Sequence, residues 1–243
     1  MDSQDWDDRY AASELVWGAA PNRWVVRELA GRTPGHALDL AAGEGRNAIW
    51  LAAQGWEVTG LDFSAVALER AERLTAELPD EVADRLTWRH GDARAYEAPA
   101  AGYDLVLVAY LQIPAAERRA ALRRAADALS PGGTLLVIGH DLSNLTEGVG
   151  GPQDPAVLFT PEDVLADLAD RGLRTVRAER VHRTVGGEPG HKGAAGAESA
   201  ERVEGAEANE GGPGSRVAVD ALVRLERRLT GGGAGGACRT AAP

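Results

Sequence analysis

Thiol chemistry is almost absent from this chain. Its 243 residues contain one cysteine, Cys238, in the run GGGAGGACRTAAP, which excludes an internal disulfide and any metal site built on thiolate clusters. A reducing compartment is the matching expectation. Positive charge is also in deficit, with 26 Lys and Arg against 37 Asp and Glu and a net charge of -11. No dense basic tract offsets that balance, so phosphate backbones and anionic membranes are repelled, and neither nucleic acid nor a membrane is expected as partner. The longest apolar runs, LVLVAYLQI and TLLVIG, are far too short to cross a bilayer. The acidic start MDSQDWDDRY is the wrong chemistry for a secretory signal, so a cytoplasmic location is expected. The five histidines are scattered, no element shows ligand spacing, and no metal is expected.

What is present is alternation. A hydrophobic share of 44% beside a charged share of 26% is that of an ordinary globular domain, so one domain over 1–230 is expected, followed by a glycine-rich flexible tail at 231–243. HALDLA (36–41) reads as a strand followed by a helix from about Gly45 to Gln54. WEVTGLD (56–62) is a second strand, followed by a helix opening at the N-cap Ser64 with Ala67, Ala71, Leu74 and Leu78 on one face. LTWRHGD (86–92) is a third strand. YDLVLVAY (103–110) is a fourth, apolar enough to be buried on both faces and hence central. A helix over 114–129 turns Leu122, Ala125 and Leu129 inward and is stopped by SPGG before a fifth strand at 134–139. TPEDVLADLADRG opens a further helix with Thr160 as N-cap, Pro161 at its first position, Asp163 in the first turn and Gly172 as stop. A strand near 173–182 follows it. VAVDALVRL then places Val217, Val219, Ala221 and Val223 on one face of a final strand, read as an edge strand.

This order predicts an α/β, Rossmann-like, doubly wound and mostly parallel sheet with right-handed crossovers. No helix separates the last two strands, so they should pair antiparallel. The insertion between them, 186–214, is rich in Gly, Ala and Glu and has too little apolar surface to offset its ordering entropy, so disorder is expected there.

In such sheets the ligand lies at the carboxyl ends of the strands where their order reverses. Gly43 and Gly45, in the turn after the first strand, stand where backbone approaches a ligand or where a turn needs freedom of φ. Asp62 ends the second strand about twenty residues on, either to accept from two ribose hydroxyls or to cap the next helix. Asp92, in GDA after the third strand, either meets an adenine amino group or is a solvated loop acid. Three strand ends thus offer what an adenosine with a polar tail requires. A dinucleotide would ask for glycine at Ala41, Gly43 and Arg46, and the Arg46 side chain disfavours pyrophosphate.

With these residues in view, DLAAGEGRNAIWLA…GWEVTGLDFS resembles the class I S-adenosylmethionine-dependent methyltransferases, and looks most like the small bacterial branch that includes tellurite-resistance-type enzymes. LDFS, GDA, DLVLVAY and LSPGG follow in that family's order. The resemblance implies a seven-stranded sheet whose final strand inserts antiparallel, and S-adenosyl-L-methionine as cofactor. It implies that Asp39, Gly43 and Gly45 form the methionine-side loop, that Asp62 holds the ribose, that Phe63 lies against the adenine, and that Asp92 with Ala93 meets its rim. Ala41, Asn47, Ser64, Gly91, Ala109 and Tyr110 are further cofactor-binding candidates. Ala41 stands where the family carries glycine.

Methyl transfer is an in-line displacement, so alignment and water exclusion are the main tasks, and a base is needed only for an acceptor that is not already anionic. Tyr110 and His140 are the catalytic candidates, at the ends of the fourth and fifth strands. Tyr110 either faces a sulfonium or packs under a helix, and His140 is either a base or a hydrogen-bonded loop histidine. Its neighbour Asp141 points to the opposite face of an extended chain. The aromatic N-terminal segment 1–30 is read as a lid, with Trp6, Arg9, Tyr10 and Trp17 closing the site and Arg9 paired with the methionine carboxylate. The expected partner is a small-molecule acceptor and the expected assembly a monomer or homodimer. The competing readings are an NAD(P)-dependent oxidoreductase and a non-catalytic S-adenosylmethionine-binding module.

Overall fold

Hydrophobic alternation folds into one sheet of seven strands: β1 (His36–Leu40), β2 (Glu57–Asp62), β3 (Leu86–His90), β4 (Tyr103–Ala109), β5 (Leu129–His140), β6 (Leu173–Val185) and β7 (Arg216–Arg227). The computed structural model describes residues 6, 7, 10, 20–99, 102–185 and 216–229. The strand order is β3-β2-β1-β4-β5-β7-β6. Strands β1 to β5 run parallel, and β7 lies antiparallel to both β5 and β6. From residue 20 onward the α-helices among the described residues are α1 (Arg23–Leu29), α2 (Arg46–Ala53), α3 (Ala65–Ala76), α4 (Asp80–Ala83), α5 (Ala115–Asp127), α6 (Asn144–Glu147) and α7 (Pro161–Asp167).

Period-two alternation in β4 builds both halves of the core. Val106 and Val108 join Leu38, Leu61, Leu122 and Phe159 on one face, while Leu105 and Leu107 join Val25, Leu51 and Trp56 on the other. A strand apolar on every residue belongs where both faces are covered. Local signals fix the helix starts. Ser64 accepts from the Ala67 amide at 3.1 Å, and Thr160 and Asp163 form a reciprocal capping box with Pro161 at the first turn. Asp167 accepts from Arg118 and Arg119, each at 2.9 Å, which fastens α7 to α5.

Three boundaries differ from the sequence expectation. β5 starts at Leu129, so SPGG is drawn into the strand through an irregularity in its pairing with β4, and Leu129 is buried as the first residue of a strand rather than the last of a helix. Leu74 and Leu78 stay half-buried, the latter beyond the end of α3. Most important, β7 is interior and β6 is the edge. Alternation in VAVDALVRL suggested one wet face, yet Ala218–Val223 is buried on both, because the small Ala218 and Ala221 fit a covered position as well as an edge. The 186–214 insertion and the tail lie outside the described residues.

Candidate active site

The strand order reverses between β1 and β4, and the residues after these strands carry the only two non-glycine positive φ values among the described residues, Ala41 at 69° and Tyr110 at 59°. Left-handed backbone costs an L-residue about 1 kcal/mol or more, and such strain collects at functional sites. Ala41 therefore keeps the conformation that glycine would take freely. After it the chain turns through Gly43 (φ 58°) and Gly45 (φ 84°) into α2.

The protein's own side chains explain part of the glycine requirement. A Cβ on Gly45 would stand 2.3 Å from the Trp88 ring, and one on Gly60 would stand 2.2 Å from it. Trp88 on β3, anchored by its indole N–H on the Thr75 hydroxyl at 3.1 Å, thus lies against both. Above Gly43 the nearest group is the hydroxyl of Tyr10, 2.8 Å from a hypothetical Cβ. Tyr10 is buried and stacks at 5.6 Å on Trp6, while Asp7 accepts from the Ser64 hydroxyl. Tyr10 and Asp7 thus lie against the loop and the start of α3. Arg9 and Trp17, the other two expected lid residues, lie outside the described residues.

Beneath the loop lies a buried pair of acids. Asp62 is tied by two backbone amides, accepting from Gly43 at 2.7 Å and Ser64 at 2.9 Å. Burial raises its carboxyl pKa, and those amides only partly oppose the rise. Ser64, not Asp62, is the helix cap. Asp39 has no exposed surface and neither carboxylate oxygen has a hydrogen-bond partner. Burial first and the neighbouring Asp62 charge second push its pKa up to about 7, against the weaker pull of Arg46 and the Ala48 amide. With the Ala48 amide outside hydrogen-bond geometry, a fully buried carboxyl of this kind is costly unless something else supplies a donor.

The remaining expected residues separate into rim and core. Asp92 is not a free loop acid: the Arg94 guanidinium grips it at 2.6 Å and holds its carboxyl below the usual range. Ala93 is buried in the core. Phe63 is half-buried, and its carbonyl meets the His90 ring at 2.9 Å. The Gly91 amide donates to the carbonyl of Asp62 at 2.9 Å. Asn47 accepts from the Asn22 amide at 2.9 Å.

At the ends of β4 and β5 the structure brings Tyr110 and His140 together, their rings 5.0 Å apart and edge to face. What joins them is a residue that sequence reasoning did not single out. Asp220 of β7, opposite His140 in the register, has no exposed surface. It accepts from the Tyr110 hydroxyl at 2.8 Å and from Arg183 at 3.0 Å. His140 Nδ1 lies 3.3 Å from its other oxygen. Burial alone would raise the Asp220 carboxyl, but the His140 ring and the Arg183 charge hold it below its ordinary value. Burial and the Asp220 charge push the Tyr110 phenol well above its ordinary range. Asn22 closes the chain, donating to the Tyr110 hydroxyl at 3.3 Å, so a polar path runs from Asn47 at the glycine loop to Asp220 at β7. The available signal was a lone acid inside the apolar run VAVDALV. Among the described residues no group of three His, Cys, Asp or Glu could hold a metal, and no helix is long and apolar enough to cross a membrane.

Residues 37–133 match the family described as Methyltransferase domain. An uncharacterized methyltransferase of Mycobacterium tuberculosis is 33% identical over 112 residues, 46% of this chain and 54% of that protein. A Mycobacterium bovis relative matches to the same extent. The chain thus spans about half the length of the curated relatives it matches. The fold is similar to that of a protein solved in work on the conversion of a disulfide bond into a thioacetal group during echinomycin biosynthesis (TM-score 0.65, 18% identity, 94% of this chain and 93% of that one). It is also similar to the glycopeptide N-methyltransferase MtfA with S-adenosyl-L-methionine (0.56, 21%, 86% and 95%) and to TehB from Haemophilus influenzae (0.58, 12%, 93% and 68%). The resemblance read in the sequence is borne out over residues 37–133, and the sheet with its antiparallel final strand is similar in fold to these solved methyltransferases.

Proposed function

On the premise that residues 37–133 are a methyltransferase domain, we propose that this chain transfers a methyl group from S-adenosyl-L-methionine to a small-molecule acceptor by in-line displacement. The observation that carries the reading is Asp39: a carboxylate without exposed surface, with both oxygens unpartnered, under a left-handed turn at the switch point of the sheet. An ammonium-bearing ligand supplies the donors that this carboxylate lacks, so the residues present fit the cofactor. S-adenosyl-L-methionine, when bound, supplies a methyl group already activated on a positively charged sulfur.

The chain's own residues divide the remaining work. Asp39 takes the amino-acid ammonium. Asp62, its orientation fixed by the Gly43 and Ser64 amides, accepts ribose hydroxyls on its free lone pairs. Phe63 covers the adenine, and Asp92, Gly91 and Ala93 form its rim. Tyr10, lying over Gly43, excludes water from above. Alignment of acceptor and donor in a dry site is worth about 7–11 kcal/mol in favourable cases. The formal charge of -11 opposes polyanionic acceptors and favours a small one.

Titration calorimetry with S-adenosyl-L-homocysteine and, separately, NAD tests this. Binding of the first and not the second is expected, with Asp62→Ala lowering that affinity at least tenfold. Binding of NAD alone, or unchanged affinity in the variant, overturns the assignment.

A further inference from the structure

We infer that His140 is the base that removes the proton of a neutral hydroxyl or amine acceptor, and that Asp220, not the adjacent Asp141, is the positioning residue that holds its ring. This rests on the methyltransferase reading above and narrows its substrate class.

The geometry separates the two nitrogens of His140. Nδ1 faces the buried Asp220 carboxylate at 3.3 Å, in contact but not yet aligned as a hydrogen bond. Such pairs are often loose until a ligand is present. Among the described residues Nε2 has no hydrogen-bond partner. A Cβ on Gly151 would stand 2.7–2.8 Å from Cδ2, Cγ and Nε2 of the ring, so glycine there lets the backbone pass against the imidazole. A carboxylate behind Nδ1 fixes the tautomer with Nε2 bare.

Every charged group around the ring fits this role. Arg183 of β6 and the Tyr110 hydroxyl share the second Asp220 oxygen, which keeps Asp220 ionised and immobile. Asp141 is turned away, accepting from the Ser143 amide at 2.9 Å with Arg180 at 3.5 Å. The Gln112 side chain accepts from the His140 amide at 2.6 Å and donates to the Val157 carbonyl at 2.7 Å, so the backbone carrying the ring is also pinned. An acceptor that is already anionic needs none of this, whereas a neutral O–H or N–H does.

In the step itself the acceptor proton passes to Nε2 and the acceptor lone pair forms the new bond to the methyl carbon. The methyl–sulfur bond breaks with its electron pair remaining on sulfur, which becomes a neutral thioether. Asp220 balances the imidazolium, which returns its proton to water through the 11% of the side chain that is exposed.

Nitrogen-15 NMR of the full chain without cofactor reads the tautomer directly. Nδ1 protonated and Nε2 bare in the wild type, with that preference lost in Asp220→Asn, is the expected result. Nε2 carrying the proton, or an unchanged spectrum in the variant, overturns the proposal. A second arm uses phenol as the probe acceptor with S-adenosyl-L-methionine. His140→Gln should lower turnover about 100-fold or more and remove the acid limb of the pH profile, while affinity for S-adenosyl-L-homocysteine is retained. Added imidazole should partly restore turnover to His140→Ala, which a merely structural histidine would not permit. Undiminished phenol turnover in His140→Gln overturns the assignment. Where phenol is not turned over, the nitrogen spectra decide. Where S-adenosyl-L-homocysteine does not bind the wild type, the methyltransferase reading fails and the same spectra still decide the pairing.

Discussion

A single buried carboxyl, Asp39, ties stability to pH and, under the proposed function, sets that stability against ligand binding. The Asp39 pKa is raised to about 7 from 3.8, so between those values the folded chain binds more protons at this position than the unfolded chain does. The stability tied to Asp39 is therefore full below about pH 4 and is lost as pH rises towards 7. Each pKa unit corresponds to about 1.4 kcal/mol. Asp39→Asn should match the wild type near pH 4 in urea unfolding and exceed it at pH 8, while binding S-adenosyl-L-homocysteine more weakly. A variant no more stable at pH 8 would show that Asp39 is not strained. Asp220 shows the opposite design: an equally buried acid whose partners, Tyr110, Arg183 and His140, are all built in. Sequence reasoning reached Tyr110 and His140 from their places at strand ends, and Asp39 only through the family resemblance. It missed Asp220 and Arg183, because these sit within strands and acquire meaning only through register.

Elements in this fold are shaped by close packing around glycine. Trp88 of β3 fills the space that Cβ atoms on Gly45 and Gly60 would occupy, so the loop before α2, strand β2 and strand β3 interlock at one point. Gly45→Ala meets both a left-handed φ of 84° and the Trp88 ring, and should cost about 2–4 kcal/mol. Chemical denaturation measures this, and a loss below about 0.5 kcal/mol would mean that Trp88 swings aside freely. The turn glycines were legible as glycines that matter. That one of them serves a tryptophan of another strand was not, since no local pattern connects residues 45 and 88.

For the molecule as a whole, the late antiparallel strand is decisive. By inserting between β5 and β6, β7 carries Asp220 beside His140 and within reach of Tyr110 after β4, so this buried polar cluster is completed by residues far apart in sequence. Its pairing with β6 continues to Val185↔Arg216, which places the ends of the intervening connection side by side. Replacing residues 187–213 by a short turn should leave the melting temperature within a few degrees, because shortening such a connection changes closure entropy by only about 0.6 kcal/mol per halving. A fall of more than about 10 °C in thermal unfolding would mean that the connection packs on the domain.

The sequence by itself determined what depends on nearby residues: strand and helix order from hydrophobic period, helix starts at Ser64 and Thr160 from side-chain caps, and the site's position from acids and glycines at strand ends. Tertiary structure decided what depends on pairing across the chain. It made β7 interior rather than an edge, gave Gly45 to Trp88, and set Asp220 behind His140. The physical reason is that burial of both faces of a strand, and the partner of a buried charge, are properties of neighbours that only the folded register brings into contact.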